Sequence, residues 1–433
     1  EMTSSLVGSE MCIRDRNRDF TMEGYNKKVI MSYWTICRMK TTKKIYVKVS
    51  IIFLLGGILL FSSCEKEENQ KIEANRKTLF MYLPWSSNLT NYFYNNISDL
   101  EKCITKIGLN NEKVIVFIST GSTEAMMFEI VSSHGRCKRE ILKKYKSPPF
   151  TTIDGITAIL NDVKAFAPAS VYTMIIGCHG MGWLPVYEMK VRSAPHMKMH
   201  WEYQGVPLTR YFGGLTAEYQ TDIKSLASGI ANAGMKMEYI LFDDCYMSSI
   251  EVAYELKDVT KYLIGSTSEM MAYGMPYAAI GEYLLGNPDY QSGCEEFYNF
   301  YSTYEIMPCG TLAVTDCSEL ENMAAIIKSI NSKYSFDKSL RGTIQRLDGY
   351  TPVIFYDFAD YITSLCNDPI LLNQFREQLN HLVPYKTHTK NFYTMAKGII
   401  PINTFSGITT SDPSDNPMTV LKENTLWYKA AHN

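Results

Sequence analysis

Two short stretches of the sequence carry the side chains that could do chemistry. Cys245 follows Asp243 and Asp244 at the end of one apolar run, and His179 precedes Gly180 at the end of another. A thiol attacks a carbonyl only as the thiolate, so it needs a nearby base or a positive environment, and histidine is the commonest base. These residue types predict covalent catalysis, with Cys245 as the nucleophile and His179 as the general base.

The runs that lead into both stretches are typical of buried β-strands. Residues 170–180 and 237–245 are rich in β-branched and aromatic residues, and each run is followed by a glycine turn or a helix. In a parallel α/β sheet, functional side chains gather at the carboxyl ends of the strands, and neighbouring strands lie about 5 Å apart. If the two strands are neighbours, the imidazole of His179 can reach the thiol of Cys245.

Side-chain alternation separates the two carboxylates. Along a strand, Asp243 and Cys245 share one face, and Asp244 points to the other, where it would cap a helix or bond to backbone. Asp243 lies roughly 7 Å from Cys245 at the Cα level, which suits the floor of a pocket for a basic side chain. Gly180 leaves the backbone free to approach a substrate carbonyl, so its N–H and that of Cys245 are candidate oxyanion donors.

Structural interpretations of the same residues stay open. A single buried cysteine or histidine is more often a core residue than a catalytic one. Cys178 is an alternative nucleophile, but it adjoins His179 and so faces the other way, which favours a place in the core. His196 and His200 have the i,i+4 spacing of metal ligands, yet they lie in a polar stretch without helical periodicity. We predict no metal site.

The rest of the chain alternates strands and helices. Further strands are predicted at 78–85, 113–120, 126–133 and 261–269, and helices at 89–107, 154–168 and 222–234. Near-continuous apolar strands alternating with helices predict an α/β fold with a mostly parallel central sheet covered on both faces. Beyond about residue 286 the pattern weakens. There, 309–316 is predicted to be a strand, the segments around 318–334, 351–365 and 369–383 to be helical, and the last thirty residues to be irregular.

The start of the chain indicates export. Residues 1–38 include a stretch resembling a translated sequencing adapter, so we exclude them from fold reasoning. Residues 39–64 have a lysine-rich head, an apolar run too short to span a bilayer, and small residues before Cys64. They predict a lipoprotein signal peptide with Cys64 as the lipidated first residue, followed by a polar tether at 65–76. An uncleaved membrane anchor is the alternative.

Charge and cysteine spacing exclude other classes. The net charge is −2, and no basic stripe is interleaved with aromatic residues, which argues against a nucleic-acid partner. The cysteines after Cys64 are irregularly spaced and none forms a C-x-x-C pair, so neither a zinc ribbon nor a redox motif is predicted.

The motifs around the two stretches resemble the clostripain family of cysteine peptidases. The resemblance runs from about residue 77 to the end, and it rests on HGMGW at 179–183, DDCYMSSIEVAYEL at 243–256 and IGSTSEMMAYGMPY at 264–277. It implies a caspase-like three-layer α/β/α sandwich. We place the peptidase core at 77–285 and a C-terminal α/β subdomain at 286–433.

The resemblance also implies roles for single residues. Carried over to matching positions, it gives His179 as base, Cys245 as nucleophile and Asp243 as the acid of a pocket for Arg or Lys. Glu269 is the only acid of the pocket loop "EMMAYGMPY", and we expect it to contact the substrate too. The sequence departs from the family pattern at Cys178, where an acid is usual, and at Ser248, where a glycine is usual.

The predicted function is a cysteine endopeptidase that is lipid-anchored at the cell envelope and cuts protein or peptide substrates after Arg or Lys. The acidic start that follows Cys64 resembles that of surface lipoproteins of Bacteroides-type gut bacteria. The chemistry needs no cofactor, although some family members require calcium, and some cut themselves between the histidine and the cysteine. In that region, 184–213, the basic residues are Lys190, Arg192, Lys198 and Arg210.

Two other interpretations stay open. The first is a caspase-fold surface lipoprotein that binds its partner and has lost activity. The second is a peptidase that cuts after an acidic residue or asparagine, which would need a basic or neutral pocket floor instead of Asp243. The sequence does not predict an oligomeric state.

Overall fold

A mixed nine-stranded sheet runs through the part of the chain that the computed structural model describes, residues 75–186, 204–210 and 219–432. The strands in chain order are β1 (Asn75–Leu83), β2 (Glu112–Ser119), β3 (Glu124–Ser133), β4 (Arg136–Lys146), β5 (Ala169–Ile176), β6 (Met237–Phe242), β7 (Thr260–Gly265), β8 (Thr311–Asp316), β9 (Tyr356–Asp357), β10 (Tyr385–His388), β11 (Asn391–Thr394), β12 (Gly398–Pro401) and β13 (Thr409–Thr410). Two small ribbons, β11 with β12 and β13 with β9, lie outside the main sheet.

The order across the main sheet is β10-β8-β7-β6-β5-β1-β2-β3-β4. Its centre, from β7 to β2, is parallel, whereas β8 and β10 at one edge and β3 and β4 at the other are antiparallel. The central strands β1 and β2 are buried along most of their length, as expected for strands covered on both faces. The predicted mostly parallel α/β sheet is therefore confirmed.

Two separate groups of helices flank the sheet. The helices are α1 (Thr90–Ile107), α2 (Ile153–Phe166), α3 (Ile223–Asn232), α4 (Ile250–Leu256), α5 (Tyr277–Leu284), α6 (Tyr290–Ser302), α7 (Leu320–Asn331), α8 (Phe358–Leu365), α9 (Pro369–Leu382) and α10 (Leu426–His432). Helices α1, α5 and α6 pack together in one group, and α2, α3, α4, α10, α7 and α9 pack in a chain in the other. Each helix buries its apolar stripe, which is why the helical periodicity is visible in the sequence.

The predicted elements before residue 269 are all present, with shifted ends. Predicted strand 237–245 ends at Phe242 and predicted strand 170–180 ends at Ile176, because turns take over where the polar residues begin. Cys245 and His179 therefore lie in loops beyond the strands and not on them. A strand's hydrophobic pattern marks its buried body better than its end.

Other elements differ from the prediction or were not predicted. Strand β4 alternates charged residues on an exposed edge, so its sequence lacks the apolar run of a buried strand. The predicted helix around 351–365 begins only at Phe358, after the N-cap residue Asp357. Near the chain's end, β13 and α10 occupy part of a stretch predicted to be irregular. Helices α5 and α6 and strand β10 were likewise not predicted.

The predicted domain boundary at residue 286 stays a prediction. Strands β8 and β10 come from beyond it and extend the same sheet. The predicted signal peptide 39–64, with Cys64, lies outside the described residues, as do His196 and His200. Within the described ranges, no helix is both long enough and apolar enough to cross a membrane.

Candidate active site

Three neighbouring strands deliver the side chains of the site. Strand β5 lies between β1 and β6, and Ile176 at its end pairs with Tyr82 of β1 and Phe242 of β6. The backbone pairing continues just past the strands, because Asp243 N–H donates to Ile176 O at 2.8 Å. The loops that carry His179 and Cys245 therefore leave the sheet side by side, as predicted from the strand-end argument.

The two loops are in direct contact through Gly180. A Cβ atom built on this glycine would lie 2.8 Å from the backbone nitrogen of Cys245 and would overlap its carbonyl oxygen. Only a residue without a side chain allows this approach. Gly180 is thus required for packing the histidine loop against the cysteine loop. Its predicted role as an oxyanion donor stays a prediction.

Cys245 is fully buried in this conformation. Its sulfur accepts a hydrogen bond from Met270 N–H at 3.2 Å and lies 3.8 Å from Met270 O, which can accept from the thiol. Burial raises the pKa of the Cys245 thiol well above its usual value, and the Glu269 carboxylate adds to this effect. In this conformation burial therefore favours the protonated thiol over the thiolate.

The helix that follows Cys245 starts five residues further along the chain. Helix α4 begins only at Ile250, and the Ser249 side chain caps it by accepting from Val252 N–H. The residue after the cysteine, Tyr246, has φ of 63°, in the left-handed region that non-glycine residues rarely adopt. Stacking of its ring on Phe355 at 4.9 Å helps to hold this strained turn.

His179 is buried beside the cysteine loop and contacts a residue that the sequence did not indicate. Its Nε2 lies 2.8 Å from Oδ1 of Asn88, within hydrogen-bond distance. Asn88 follows strand β1, the third strand whose end meets this edge of the sheet. The signal that could have found it is a polar turn, "SSN", after a buried strand that neighbours the histidine strand.

Asp243 is buried and paired with an arginine of the same chain. Its carboxylate lies 3.0 Å from Arg210 Nη1 and accepts hydrogen bonds from Met275 N–H and Tyr277 Oη. Burial is the largest single effect and opposes the charge on Arg210, but Asp243 together with the weaker effects of other neighbouring groups outweighs it, so the pKa of Arg210 is raised. The predicted pocket acid thus binds a guanidinium group, although this guanidinium comes from the protein itself.

Arg210 fills its pocket completely and has no exposed surface. Its guanidinium donates to the Asp243 carbonyl at 2.7 Å, to Asn96 Oδ1 at 2.6 Å and to Tyr273 O at 3.2 Å, and it lies over the ring of Phe93. Several oriented acceptors around one planar cation form a recognition site for arginine and not a general anionic patch.

The residues before Arg210 lie along the loop that follows β7. We call residues 207–210 the PLTR segment. Arg210 N–H donates to Met270 O at 2.7 Å, and Ala272 N–H donates to Leu208 O at 2.9 Å, which is antiparallel strand pairing. Peptides often bind proteins in this way, with main-chain bonds along an edge and pockets for single side chains.

The side chain of Glu269 contacts the PLTR segment at Thr209, one residue before Arg210. Its carboxylate accepts from Thr209 Oγ1 at 2.6 Å and from Tyr246 Oη at 2.9 Å. Burial raises the pKa of Glu269 to about 7. The structure therefore places Glu269 beside Thr209, whereas Asp243 is beside Arg210.

Asp244 points away from the arginine pocket, as the alternation argument predicts. Its carboxylate accepts from the backbone N–H of Cys178 and lies 3.3 Å from the Cys178 sulfur. The predicted core position of Cys178 is met in part. Cys178 packs against the core but is only half-buried, and it lines a cavity together with His179.

A stretch near the chain's end connects the two loops that carry His179 and Cys245. We call residues 407–411 the C-terminal strap. Ser248 donates through its hydroxyl to Gly407 O at 2.7 Å, which gives the serine at this unusual position a structural role. Glu251 accepts from Ser411 N–H at 2.7 Å, and the Ser411 hydroxyl accepts from Trp183 Nε1 at 2.9 Å. Trp183 belongs to the histidine loop, so the strap connects both loops.

The buried carboxyl of Glu251 predicts a pH-dependent stability. Burial raises its pKa from the ordinary 4.5 to about 7, so the folded state holds a proton that the unfolded chain releases. The protonated carboxyl therefore contributes its full stabilisation below pH 4.5. As the pH rises from 4.5 to 7, the free energy of unfolding decreases by about 3 kcal/mol through this group. We expect Glu251→Gln to flatten the decline in unfolding free energy between pH 5 and pH 8, measured by urea denaturation.

Exposed Glu295 provides the control. Glu295→Gln is expected to leave the pH dependence as in the wild type. A Glu251→Gln protein whose stability still declined as steeply as the wild type would show that this carboxyl is already ionised in the fold.

Among residues 75–186, 204–210 and 219–432, no three His, Cys, Asp or Glu side chains are grouped so that they could hold a metal ion. Calcium binding, which the family resemblance implies for some members, stays a prediction.

An α/β sandwich with a thiol and an imidazole on loops from adjacent strands is the arrangement expected of a caspase-like cysteine peptidase. A model of the clostripain family matches residues 81–412, which is most of the chain. The chain therefore belongs to the clostripain family and is a cysteine peptidase.

Solved structures of the family resemble this chain closely. The secreted C11 cysteine protease "iotapain" of Bacteroides thetaiotaomicron is 58% identical, with a TM-score of 0.77 over 83% of this chain and 99% of its own. A clostripain of the same species, solved with the peptide inhibitor BTN-VLTK-AOMK, is 65% identical over 51% of this chain and 99% of its own, with a TM-score of 0.50. An inactive zymogen C11 protease from Parabacteroides distasonis is 25% identical, with a TM-score of 0.68 over 82% of this chain and 98% of its own. No curated protein matches the chain.

Proposed function

We propose that this cysteine peptidase is an endopeptidase that cuts after Arg or Lys, with Cys245 as nucleophile and His179 as base. One observation carries the proposal. The chain's own Arg210 lies in a closed pocket with its guanidinium on Asp243, at the strand end from which the Cys245 loop starts. A pocket that binds arginine beside a thiol is what cleavage after arginine requires.

The proposed reaction follows from the positions of the two loops. His179 removes the proton of the Cys245 thiol, and the thiolate attacks the carbonyl carbon of the substrate residue in the Asp243 pocket. Backbone N–H groups of Gly180 and Cys245 stabilise the oxyanion. The histidine then protonates the leaving amine, and water hydrolyses the thioester to regenerate the thiol.

The PLTR segment supports a peptide-binding mode in the same cleft. It pairs like a β-strand with the loop after β7. The Thr209 hydroxyl donates a hydrogen bond to Glu269, and the Arg210 guanidinium forms an ion pair with Asp243. The inhibitor bound to the B. thetaiotaomicron clostripain has the sequence Val-Leu-Thr-Lys. Residues 208–210 of this chain read Leu-Thr-Arg, so the two sequences match in the last three positions apart from one basic residue for another.

We infer that the structure corresponds to an uncut precursor. The arginine pocket is filled, and the thiol is buried with a raised pKa. The P. distasonis relative was solved as an inactive zymogen. Release of the PLTR segment would empty the pocket and let a substrate enter, and cutting the chain after Arg210 is the simplest way to release it.

This proposal predicts self-cleavage between Arg210 and Tyr211. We expect the purified full chain to yield a fragment that begins at Tyr211, identified by N-terminal sequencing, while Cys245→Ala stays intact. Arg210→Ala is expected to abolish this fragment, because alanine cannot bind Asp243. The matched control Arg192→Ala, in the same intervening region, should still yield it. An Arg210→Ala chain that still produced the Tyr211 fragment would contradict the assignment of Arg210.

We also propose that the peptidase is anchored at the cell envelope through a lipid on Cys64. The lysine-rich head, the short apolar run and the small residues before Cys64 support this. The relative "iotapain" is a secreted protein. Replacing Cys64 with serine is expected to move the protein from the membrane fraction to the soluble fraction of cells that express it.

A further inference from the structure

We propose that Asn88 is a positioning residue that holds His179 in one tautomer and one orientation, an inference that rests on the proposed role of His179 as base. Asn88 Oδ1 accepts a hydrogen bond from His179 Nε2 at 2.8 Å. A neutral imidazole has one protonated nitrogen. If Nε2 carries the proton, then Nδ1 is the nitrogen that can accept the thiol's proton.

A second contact involves the same side-chain atom of Asn88. The hydroxyl of Ser87 lies 3.3 Å from Asn88 Oδ1 and can donate to it. In this orientation the amide oxygen accepts from both Ser87 and His179, whereas the turned-over amide would donate its NH₂ to both and would require the proton on Nδ1. We propose the first orientation, and the tautomer measurement described below tests it.

The turn that presents Asn88 is fixed on both sides. Ser86 and Leu89 are fully buried, and Ser87 between them has φ of 46°, in the left-handed region that serine rarely adopts. Such strained residues persist where the surrounding structure holds them, and they are common at functional sites. The turn leads directly into α1, whose residues Phe93 and Asn96 contact Arg210.

The turn therefore touches the site in two ways. Its residue Asn88 contacts the base His179, and the helix that follows the turn, α1, forms a wall of the arginine pocket. The amide of Asn88 is neutral, so it can orient the imidazole without adding a negative charge beside it. A carboxylate in the same place would instead stabilise the imidazolium form and raise the histidine's pKa.

Other titratable groups lie around His179, and they set the background for any pH effect. Cys178, Asp244 and Tyr82 line the same cavity as the histidine, and Cys245 contacts the neighbouring Gly180. The Cys178 thiol forms a hydrogen bond with the Asp244 carboxylate, and the Tyr82 hydroxyl donates a hydrogen bond to Phe150 O at 2.7 Å. Burial raises the pKa of Asp244 to about 7. These groups are unchanged in variants of Asn88, so the variants isolate the contact with Nε2.

The kinetic test compares Asn88→Ala, Asn88→Asp and the control Asn91→Ala, which changes an exposed asparagine in the first turn of α1. For hydrolysis of an arginine peptide by the self-cleaved protein, we expect Asn88→Ala to lower kcat by about 10- to 100-fold, with KM changed less than about twofold. Asn88→Asp should recover most of kcat, because a carboxylate oxygen also accepts from Nε2. Because the neutral imidazole is the active base, the higher pKa of the histidine should move the acidic limb of the kcat profile to higher pH by about half a unit or more.

A second readout does not depend on peptidase activity. Nitrogen-15 NMR of histidine-labelled protein reports which ring nitrogen of His179 is protonated, and His179→Gln identifies the signal. We expect the Nε2–H tautomer in the wild type and in Asn91→Ala, and a mixture of tautomers in Asn88→Ala.

The two readouts separate the two proposals. A wild-type protein that cut no peptide but showed the Nε2–H tautomer, lost in Asn88→Ala, would support Asn88 as a positioning residue and contradict the peptidase assignment. An Nδ1–H tautomer in the wild type would overturn the proposal for Asn88. So would an Asn88→Ala enzyme with unchanged kcat and an unchanged pH profile.

Discussion

Cys245→Ala is expected to abolish peptide hydrolysis, lowering kcat/KM by at least about 10⁴-fold, because removal of a nucleophile leaves only binding and oxyanion stabilisation. The measurement uses fluorogenic peptides that differ only in the residue before the cut: Arg, Lys, Asp, Asn and Leu. We expect the wild type, after self-cleavage, to cut the Arg and Lys peptides and the variant to cut none.

Cys178→Ala is the matched control for this experiment. Cys178 is the other thiol beside His179, and it is more exposed than Cys245, but its sulfur faces Asp244. We expect Cys178→Ala to keep activity within a few fold of the wild type. Loss of activity in Cys178→Ala together with retention in Cys245→Ala would make Cys178 the nucleophile. A folded wild-type protein that cut none of the five peptides would favour the binding lipoprotein.

Asp243→Asn is expected to remove the preference for basic residues. Breaking a buried ion pair by neutralising one partner costs about 3–5 kcal/mol, so kcat/KM for the Arg and Lys peptides should fall by roughly 10²- to 10⁴-fold. The Leu peptide does not use the carboxylate, and its slow cleavage should change little. The ratio of Arg to Leu cleavage is therefore the diagnostic quantity, since a general loss of activity leaves it unchanged.

Folding must be separated from specificity in this variant. In the uncut chain, Asp243→Asn leaves the buried guanidinium of Arg210 unpaired, which destabilises the fold. The double variant Arg210→Met/Asp243→Asn removes both charges and should recover part of the melting temperature. Glu269→Gln changes the carboxyl beside Thr209 and should keep the Arg-to-Leu ratio. If Asp243→Asn kept that ratio as well, the specificity acid would lie elsewhere.

A single peptide group connects the filled cleft to the buried thiol. The carbonyl of Met270 accepts from Arg210 N–H, while the N–H of Met270 donates to the Cys245 sulfur. The PLTR segment thus lies against the backbone that encloses the thiol. Departure of the segment would admit water, and a thiol that gains solvent has a lower pKa than a buried one. Access for substrate and activation of the nucleophile would then occur together.

The sequence alone predicted the α/β class and the positions of the central strands and helices. Apolar runs and helical periodicity are local signals, and they are strong where a strand is buried on both faces, as in β1 and β2. The exposed edge strand β4 has no such signal, so it was not predicted. The loops with His179 and Cys245 were placed at one edge because parallel strands carry their carboxyl ends to the same side.

Only the tertiary structure decided what these residues contact. Arg210 was one of four basic residues in its region, and nothing local distinguishes it. Its burial depends on acceptors from Asp243, Asn96 and Tyr273, which lie far apart in the chain. Asn88 likewise meets His179 only because β1 and β5 are neighbours in the sheet. Patterns along the chain report which side chains are buried, whereas a buried charge or an oriented imidazole depends on partners that only the folded chain brings together.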